Sequence, residues 1–559
     1  MTHRPAFTLD DLLVGAATEH ADRIAVIDGP NRYTYRDLLA ASDALAGAIV
    51  DAGVERGDRV GIYGQKSWAG IVAMLATSQA GAAFVNLNPA LKAPQVEYIA
   101  HDAALSLLVA DTDKLDALDP ATVPVAFHLG RAPQRGDSID LATILASRGR
   151  GVRRRIVETD LGTILYTSGS TGMPKGVAFS HRNLVVGAEI VSSYLENTAD
   201  DRILSVLPFS FDYGLNQLMT AIRVGATLVV QRSQLPGDLL RSLRQHEITG
   251  VAGVPPVWSL LLRMSKSIEA EPLPALRYIT NSGGRIPQPH LDSLRRLLPE
   301  TRIFLMYGLT EAFRSTYLPP DQLDRGSDCI GRAIPDTEIL VVKDGRACAP
   351  GEVGELVHRG PTVALGYWGN QEATDRVYRP NPLAPPELLD VERVVYSGDL
   401  VRMDEEGYLY FVGRNDAMIK SGGFRISPEE VENLLIGSGL VLEACAFGVP
   451  DPDEVVGQVV KAVISLREDA LARAADRSAG GGATGSDGAG SGGPAARDAA
   501  AASEVALQAI RDHLVAAAPP YMSPREIVVL DELPRGATGK IDRVAIAEAY
   551  GGDGAHAGR

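Results

Sequence analysis

Two hydrophobic rhythms alternate from Tyr33 to Val85. Tyr35 to Asp51 has apolar residues at helical spacing, which predicts a helix. The turn Glu55-Arg56-Gly57-Asp58 leads into a short apolar strand, Arg59 to Tyr63. The most apolar window, Ile71 to Val85, contains Thr77, Ser78 and Gln79 and reads as a core helix leading to a strand at Ala83 to Leu87. Such alternation predicts parallel sheet with helices on its faces. Leu161 to Leu165 reads as another buried strand. Val251 to Trp258 predicts a strand ending in a proline-fixed turn, a fit for a pocket wall. Tyr278 to Arg285 and Phe304 to Ala312 are each a strand running into a glycine-bearing loop. Arg359 to Trp368 reads as β-rich, and Asp404 to Gly407 as a hairpin turn. Later, Met418 to Glu432 gives a lysine, a double-glycine loop and a helix capped by Ser427, with Glu430 in capping-box position. A strand over Val459 to Leu466 and a helix over Glu504 to Val515 flank a stretch, 478–494, of Gly, Ala, Ser and Asp. No core can form from that stretch, which reads as a flexible, deletable insertion.

Composition narrows the function. At 559 residues the chain is too long for one core. A net charge of −16 excludes the basic surface that nucleic acid needs. The one basic run, Arg148 to Arg155, is expected to be a solvated connector. Three scattered cysteines, with no metal-ligand spacing, fit a reducing cytoplasm. No apolar run reaches the length of a membrane span, and no signal segment opens the chain.

The most informative stretch is Tyr166-Thr167-Ser168-Gly169-Ser170-Thr171-Gly172-Met173-Pro174-Lys175-Gly176-Val177. Glycines allow close backbone approach, successive N–H groups can cradle an anion, and hydroxyls and a lysine add donors. It departs from the common G-x-x-x-x-G-K-[ST] loop, because Pro174 stands for its glycine and Gly176 for its Ser or Thr. Ser180 is an N-cap ahead of His181, which reads as structural. Within Leu207 to Leu218, L-P-F-S-F-D-Y-G-L-N-Q-L, aromatic Phe211 and Tyr213 flank Asp212. Asp212 reads equally as a helix cap or as part of a substrate pocket. Trp258 reads equally as core or pocket. No G-x-S-x-G hydrolase elbow is present.

The run at 166–177, with Tyr307-Gly308-Leu309-Thr310-Glu311, Tyr396-Ser397-Gly398-Asp399-Leu400, Gly413-Arg414-Asn415-Asp416 and Leu533 to Arg543, resembles the AMP-forming adenylating enzymes. That superfamily holds acyl-CoA synthetases, nonribosomal adenylation domains and beetle luciferases. The resemblance covers roughly Leu9 to Tyr550 apart from the insertion. It implies an α/β fold: a large N-terminal domain, 1–413, of two α/β subdomains plus a small β-barrel, a hinge at 414–417, and a mobile α+β domain, 418–559. It implies that Thr167, Ser168, Gly169, Ser170, Thr171, Gly172 and Lys175 hold the ATP phosphates. Ser282, Gly283, Gly284, Arg285, Tyr307 and Gly308 would border the adenine, and Asp399 and Arg414 the ribose. Thr310 would contact phosphate and Glu311 would help hold magnesium, as a hard dication prefers. Phe211, Asp212, Tyr213, Trp258 and Ser282 would line the acid pocket, where Asp212 matches an aspartate that binds an α-ammonium. Asp416 would be the hinge, Gly422 and Gly423 would line a thiol tunnel, and Lys540 would be catalytic. The implied reaction makes acyl-AMP from a carboxylate and ATP with Mg²⁺, then passes the acyl group to a thiol. An amino acid or amino-substituted aryl acid, loaded on a stand-alone acyl carrier protein, is the leading expectation; CoA is the alternative acceptor. Stretches such as "FSFDYGLNQL" also resemble exosortase-associated acyl-CoA ligases. A catalytically silent nucleotide-binding protein, and remotely a luciferase-like oxygenase, are the other classes. A cytoplasmic, free-standing monomer or homodimer, with no membrane or nucleic-acid partner, is expected.

Overall fold

The computed structural model describes residues 6–133, 138–147, 151–167, 174–286, 288–414, 419–426, 428–453, 455–467, 494–534 and 541–551. The chain forms two compact units: Met1–Pro89, Gln95–Thr167 and Lys175–Asp416 in the larger, and chiefly Ala417–Arg559 in the smaller.

The larger unit is built on two sheets. In the first, six parallel strands run in the order Leu161–Thr167, Ala83–Leu87, Arg59–Tyr63, Leu105–Asp111, Val125–Leu129 and Ile139–Asp140. Lys175–Ser180 and Gly366–Tyr367 extend its first edge in antiparallel fashion. The second has six parallel strands in the order Ile24–Asp28, Thr227–Val230, Arg202–Ser205, Gly250–Gly253, Tyr278–Asn281 and Arg302–Tyr307. From Arg302–Tyr307 it continues without a break into antiparallel strands between Thr316 and Arg414.

Parallel strands covered on both faces need continuous apolar runs, and Ala83–Leu87 is buried at every position. The helix expected to precede it spans Trp68–Gln79 and is buried at every residue but Gly70. Its polar end is satisfied internally: Thr77 Oγ1 donates to Ala73 O at 2.7 Å, and Gln79 Nε2 to Asp10 Oδ1 at 3.0 Å. The helix Tyr35–Asp51 and the strand Arg59–Tyr63 stand where the pattern put them. The basic run is not simply solvated. Arg153 pairs with Asp43 at 2.8 Å, and Arg154 Nη1 donates to Val54 O at 2.9 Å.

The helix Asp212–Val224 positions one end of the candidate site and is buried from Asp212 to Ile222. Gly225, at φ 74°, ends it. Buried Tyr35 finishes the job, its hydroxyl donating to Ala221 O at 3.0 Å and Ala226 O at 2.6 Å. Ala221 O also accepts from Ala226 N at 2.9 Å, so the phenol adds to the backbone closure of this helix end. Ser180 caps the helix His181–Tyr194 through a reciprocal box with Asn183. His181 is buried, its Nδ1 accepting from Leu9 N at 3.4 Å, and burial pushes its pKa down to about 4.

The smaller unit is a three-stranded sheet, Val441–Pro450, Gln458–Leu466 and Glu526–Leu530, the first pair antiparallel and the second parallel. Val431 and Leu435 of the helix Pro428–Gly437 and Ile510 and Leu514 of Pro494–Ala517 pack on one face. The second helix starts ten residues before the Glu504 that the apolar pattern marks. Ile546, on the helix Arg543–Tyr550, packs with Cys445 and Val463. Ser427 and most of the insertion, 468–493, lie outside the described residues. Glu430 is buried, and burial pushes its pKa up to about 8. Among the described residues no helix is long and apolar enough to cross a membrane.

Two outcomes test this account. Tyr35→Phe should cost about 1–3 kcal/mol, read from the urea midpoint, because two buried carbonyl contacts lose their donor. His181 is neutral in the fold while the unfolded chain takes up its proton below the ordinary value of 6.5. Stability should therefore fall as pH drops from about 6.5 to about 4, by about 3 kcal/mol from this residue. In His181→Gln that slope should flatten.

Candidate active site

The anion-cradling run lies between two antiparallel strands, Leu161–Thr167 and Lys175–Ser180, with Thr167 opposite Lys175. Ser168, Gly169, Ser170, Thr171 and Gly172 are outside the described residues. No helix starts directly after the run; the next begins at His181. The Lys175 ammonium lies 5.7 Å over the Tyr367 ring. Desolvation pulls its pKa down, helped by Arg376 and opposed by Glu311.

Two carboxylates stand near the C-terminal end of Arg302–Tyr307, where ligands of parallel sheets collect: Glu311 follows it in sequence, and Asp399 is bonded by its last residue. Each is gripped by a tyrosine hydroxyl. Tyr307 donates to Asp399 Oδ2 at 2.5 Å, and Tyr367 to Glu311 Oε1 at 2.6 Å. Asp399 is buried in Arg393–Met403, its N–H donates to Ser397 Oγ at 3.0 Å, and it faces Arg414 in register. Glu311 and Thr310 sit in the short 3₁₀ turn Thr310–Ala312. Tyr367 belongs to the first sheet, so this contact links the two sheets. Among the described residues, no three His, Cys, Asp or Glu converge to hold a metal. Glu311 alone would offer an ion one carboxylate, leaving the rest of its shell to phosphate and water oxygens, which suits magnesium.

Ser282, Gly283, Gly284 and Arg285 follow the strand Tyr278–Asn281. Gly283 has φ 74°, where a side chain would be strained. Asn281 braces the loop, Nδ2 donating to Gly284 O at 2.8 Å while Oδ1 accepts from Trp258 Nε1 at 2.9 Å. Trp258 is 1% exposed and packed with Leu261 and Ile279, so it stands in the core. It starts no strand end: the strand stops at Gly253, and Pro255–Leu262 is a helix. The Arg285 Nε donates to Ser327 Oγ at 2.9 Å.

Asp212 departs from the cap reading, and as a pocket residue it brings a partner of its own. It is not the cap, which is Phe211, and it is not a lone carboxylate awaiting an ammonium. Its Oδ2 accepts from Arg314 Nη1 at 2.7 Å, and both residues are buried. Burial raises the Asp212 pKa, and Arg314 opposes that. Arg314 reaches this position through an unusual bend. Phe313 has φ 58° and ψ −48°, and Arg314 N donates to Ala312 O at 2.6 Å. That is a γ-turn in its rare, strained form. The guanidinium then stacks 4.6 Å from the Tyr213 ring, whose hydroxyl is 2.5 Å from Thr280 Oγ1.

In the smaller unit, Ser421 pairs with Phe424 across Gly422 and Gly423. Both glycines have positive φ, 58° and 88°, the signature of a two-residue type I′ hairpin. Asp416 and Lys540 lie outside the described residues.

Sequence reasoning missed Tyr367 and Arg314. Tyr367 is in a G-Y-W string that carries no charge, so nothing marked it. Arg314 stands three residues after Glu311, and an arginine in an otherwise apolar segment was the available signal.

The α/β body and its two tyrosine-held carboxylates, Asp399 and Glu311, agree with the family that the comparisons identify. The AMP-binding enzyme family matches residues 14–368, and the chain belongs to that family. It is an AMP-forming acid–thiol ligase. It is 28% identical to a 3-[(3aS,4S,7aS)-7a-methyl-1,5-dioxo-octahydro-1H-inden-4-yl]propanoyl:CoA ligase of Mycobacterium tuberculosis, covering 94% of this chain and 96% of that one. It is 30% identical to an L-proline--[L-prolyl-carrier protein] ligase of Streptomyces coelicolor, covering 94% and 93%. Several other relatives are far longer, and the chain spans 5–9% of their length. An o-succinylbenzoate CoA synthetase from Bacillus subtilis, solved with the product analogue OSB-NCoA, has a TM-score of 0.77 at 25% identity, covering 96% of this chain and 98% of that one.

Removing one member of a buried ion pair strands the other. Asp212→Ala should therefore lose about 3–5 kcal/mol in urea unfolding. The double variant Asp212→Ala/Arg314→Met should recover a large part of that loss; full additivity of the two single losses would show that the pair is not coupled.

Proposed function

We propose that the chain activates a carboxylic acid as its acyl-adenylate and hands the acyl group to the thiol of phosphopantetheine on a separate carrier protein. The observation that carries this reading is the pair of tyrosine-held carboxylates, Asp399 and Glu311, at one end of the second sheet. Asp399, an acceptor held rigid by Tyr307, suits the two ribose hydroxyls of a nucleotide, with Arg414 beside it. The Tyr307 ring and the Ser282–Gly284 loop would flank the adenine. Thr310 would contact phosphate. Glu311 would hold magnesium, which supplies charge neutralisation at the phosphates when bound.

Displacement at the α-phosphorus needs alignment and charge compensation more than a base. The acid's carboxylate attacks the α-phosphorus, the bond to the leaving pyrophosphate breaks, and acyl-AMP forms. The 167–175 run and Lys175 would carry the negative charge of the leaving pyrophosphate. Tyr367 would hold Glu311 in place, and its ring lies beside the Lys175 ammonium. Lys540 would act in this step, with Asp416 as pivot and the Gly422–Gly423 turn beside the thiol path in the second. In that second step the thiol gives up its proton to solvent, its sulfur forms the new bond to the acyl carbon, and AMP leaves with the electrons of the broken acyl–phosphate bond.

Free CoA as the acceptor is the second reading, favoured because one relative is named a CoA ligase and one solved relative binds a CoA analogue. An amine-bearing acid, the substrate expected from Asp212, is the less well supported choice. Its ammonium would meet a carboxylate already paired to a guanidinium.

ATP–pyrophosphate exchange across amino, aryl and fatty acids tests the first step, and side-by-side supply of CoA and holo carrier protein tests the acceptor. Lys540→Ala should abolish exchange yet still transfer from supplied acyl-AMP; equal loss of both steps would refute that division. Tyr367→Phe should lower the exchange rate about tenfold with little change in KM for the acid, since it acts through Glu311.

A further inference from the structure

The buried charge beside Asp212 carries information about the acid itself. We propose that Arg314 is a specificity-determining residue, and that the preferred acid bears an uncharged hydrogen-bond acceptor, such as a ketone or ester carbonyl, remote from the carboxylate that is activated. This rests on the ligase reading above and on Asp212 bordering the acid.

Arg314 is 2% exposed and permanently charged. Its Nη1 is spent on Asp212 Oδ2 and on Phe313 O. Its Nε and Nη2, three N–H bonds together, have no partner. Buried donors without acceptors are rare in native proteins, and each calls for an explanation. The same neighbourhood holds more unmet donors. Asn216, one helical turn beyond Asp212 and on the same face, leaves Nδ2 without a partner. Ser315, next to Arg314, leaves its Oγ without one. The three unmet N–H bonds of the guanidinium are the largest group of them, and a bound acceptor would satisfy them.

The charge count selects the kind of acceptor. Asp212 and Arg314 together are neutral. An ammonium would add a second cation to a carboxylate already shared. A second carboxylate would leave a net negative charge in a buried region that already holds Glu311. A carbonyl oxygen satisfies the guanidinium without either penalty. The surrounding side chains are apolar and aromatic: Tyr213 under the guanidinium, then Phe304 and Met306, with Tyr194 and Tyr317 stacked at 4.4 Å. The bend at Phe313 agrees with this assignment. Strained backbone tends to persist where a ligand site is pre-organised, and here it delivers the arginine. Phe313 itself is seated against Gly187, where a Cβ would come within 2.6 Å of its ring.

The test is ATP–pyrophosphate exchange by the full chain with matched acids. One set is para-acetylbenzoate, para-isopropylbenzoate and para-(aminoethyl)benzoate. A second is an aliphatic series ending in a methyl ketone, an isopropyl group or a secondary-carbon amine. The ketone member should exceed its isopropyl isostere in kcat/KM by about tenfold or more, mostly in KM, because the site's unmet donors are met only by the ketone. Arg314→Met should bring that ratio near one, and Arg314→Lys should restore part of it. Where Arg314→Met fails to fold, Asp212→Leu/Arg314→Met removes both charges and keeps the comparison. Equal use of ketone and isopropyl acids by the unaltered protein, preference for the amine, or a ratio unmoved by Arg314→Met overturns the proposal while leaving the ligase reading intact. Absence of exchange with these acids and with the wider acid panel takes down the ligase reading as well.

Discussion

Placing an arginine out of reach of water constrains everything around it. The Arg314 guanidinium cannot shed its charge, so a carboxylate had to be buried with it, and Asp212 is that carboxylate. Asp212 can serve because it opens a helix that is buried along nearly its whole length. That helix is seated close on the loop before it: a Cβ on Gly214 would lie 2.1 Å from Pro208 O. Its far end is closed by the Tyr35 phenol. Arg314 can serve because the chain reverses at Phe313 in a conformation that costs energy. Helix position, glycine placement and backbone strain are thus tied to one buried contact.

The two carboxylates at the end of the second sheet are held by a different device. Each takes a phenolic hydrogen bond, one from within its own sheet and one from the neighbouring sheet. A neutral donor orients a carboxylate without cancelling its charge, as an arginine would. Asp399 and Glu311 are each held by a neutral phenol, whereas Asp212 is held by a cation. Three acidic residues with similar surroundings in sequence differ in chemistry because their partners differ.

Much of the fold was legible because it rests on local signals. Largely apolar stretches such as Ala83–Leu87 read as buried strand, and the periodicity of Tyr35–Asp51 marked its helix to the residue. Of the candidate site, the motifs of Tyr307 and Asp399 were legible one by one, and the fold brings the two residues within 2.5 Å. It was illegible where partners come from distant strands. Asp212 and Arg314 are 102 positions apart, and nothing local to either announces the other. Trp258 read equally as pocket or core for the same reason; its bond to Asn281 and its packing decide the matter. The long helix Pro494–Ala517 was underestimated because alanines carry no amphipathic signal although they favour helix.

The turn at Gly422 and Gly423 has a consequence for how the enzyme can diversify. Both positions occupy the mirror-image half of conformational space, which a D-amino acid would enter at no penalty and any L-residue enters against resistance. Codon changes there are disfavoured by backbone geometry before any effect on a thiol is felt. Retention of the two glycines among diverging descendants would thus be a property of the hairpin, and it would say nothing about which acceptor a given lineage had come to serve.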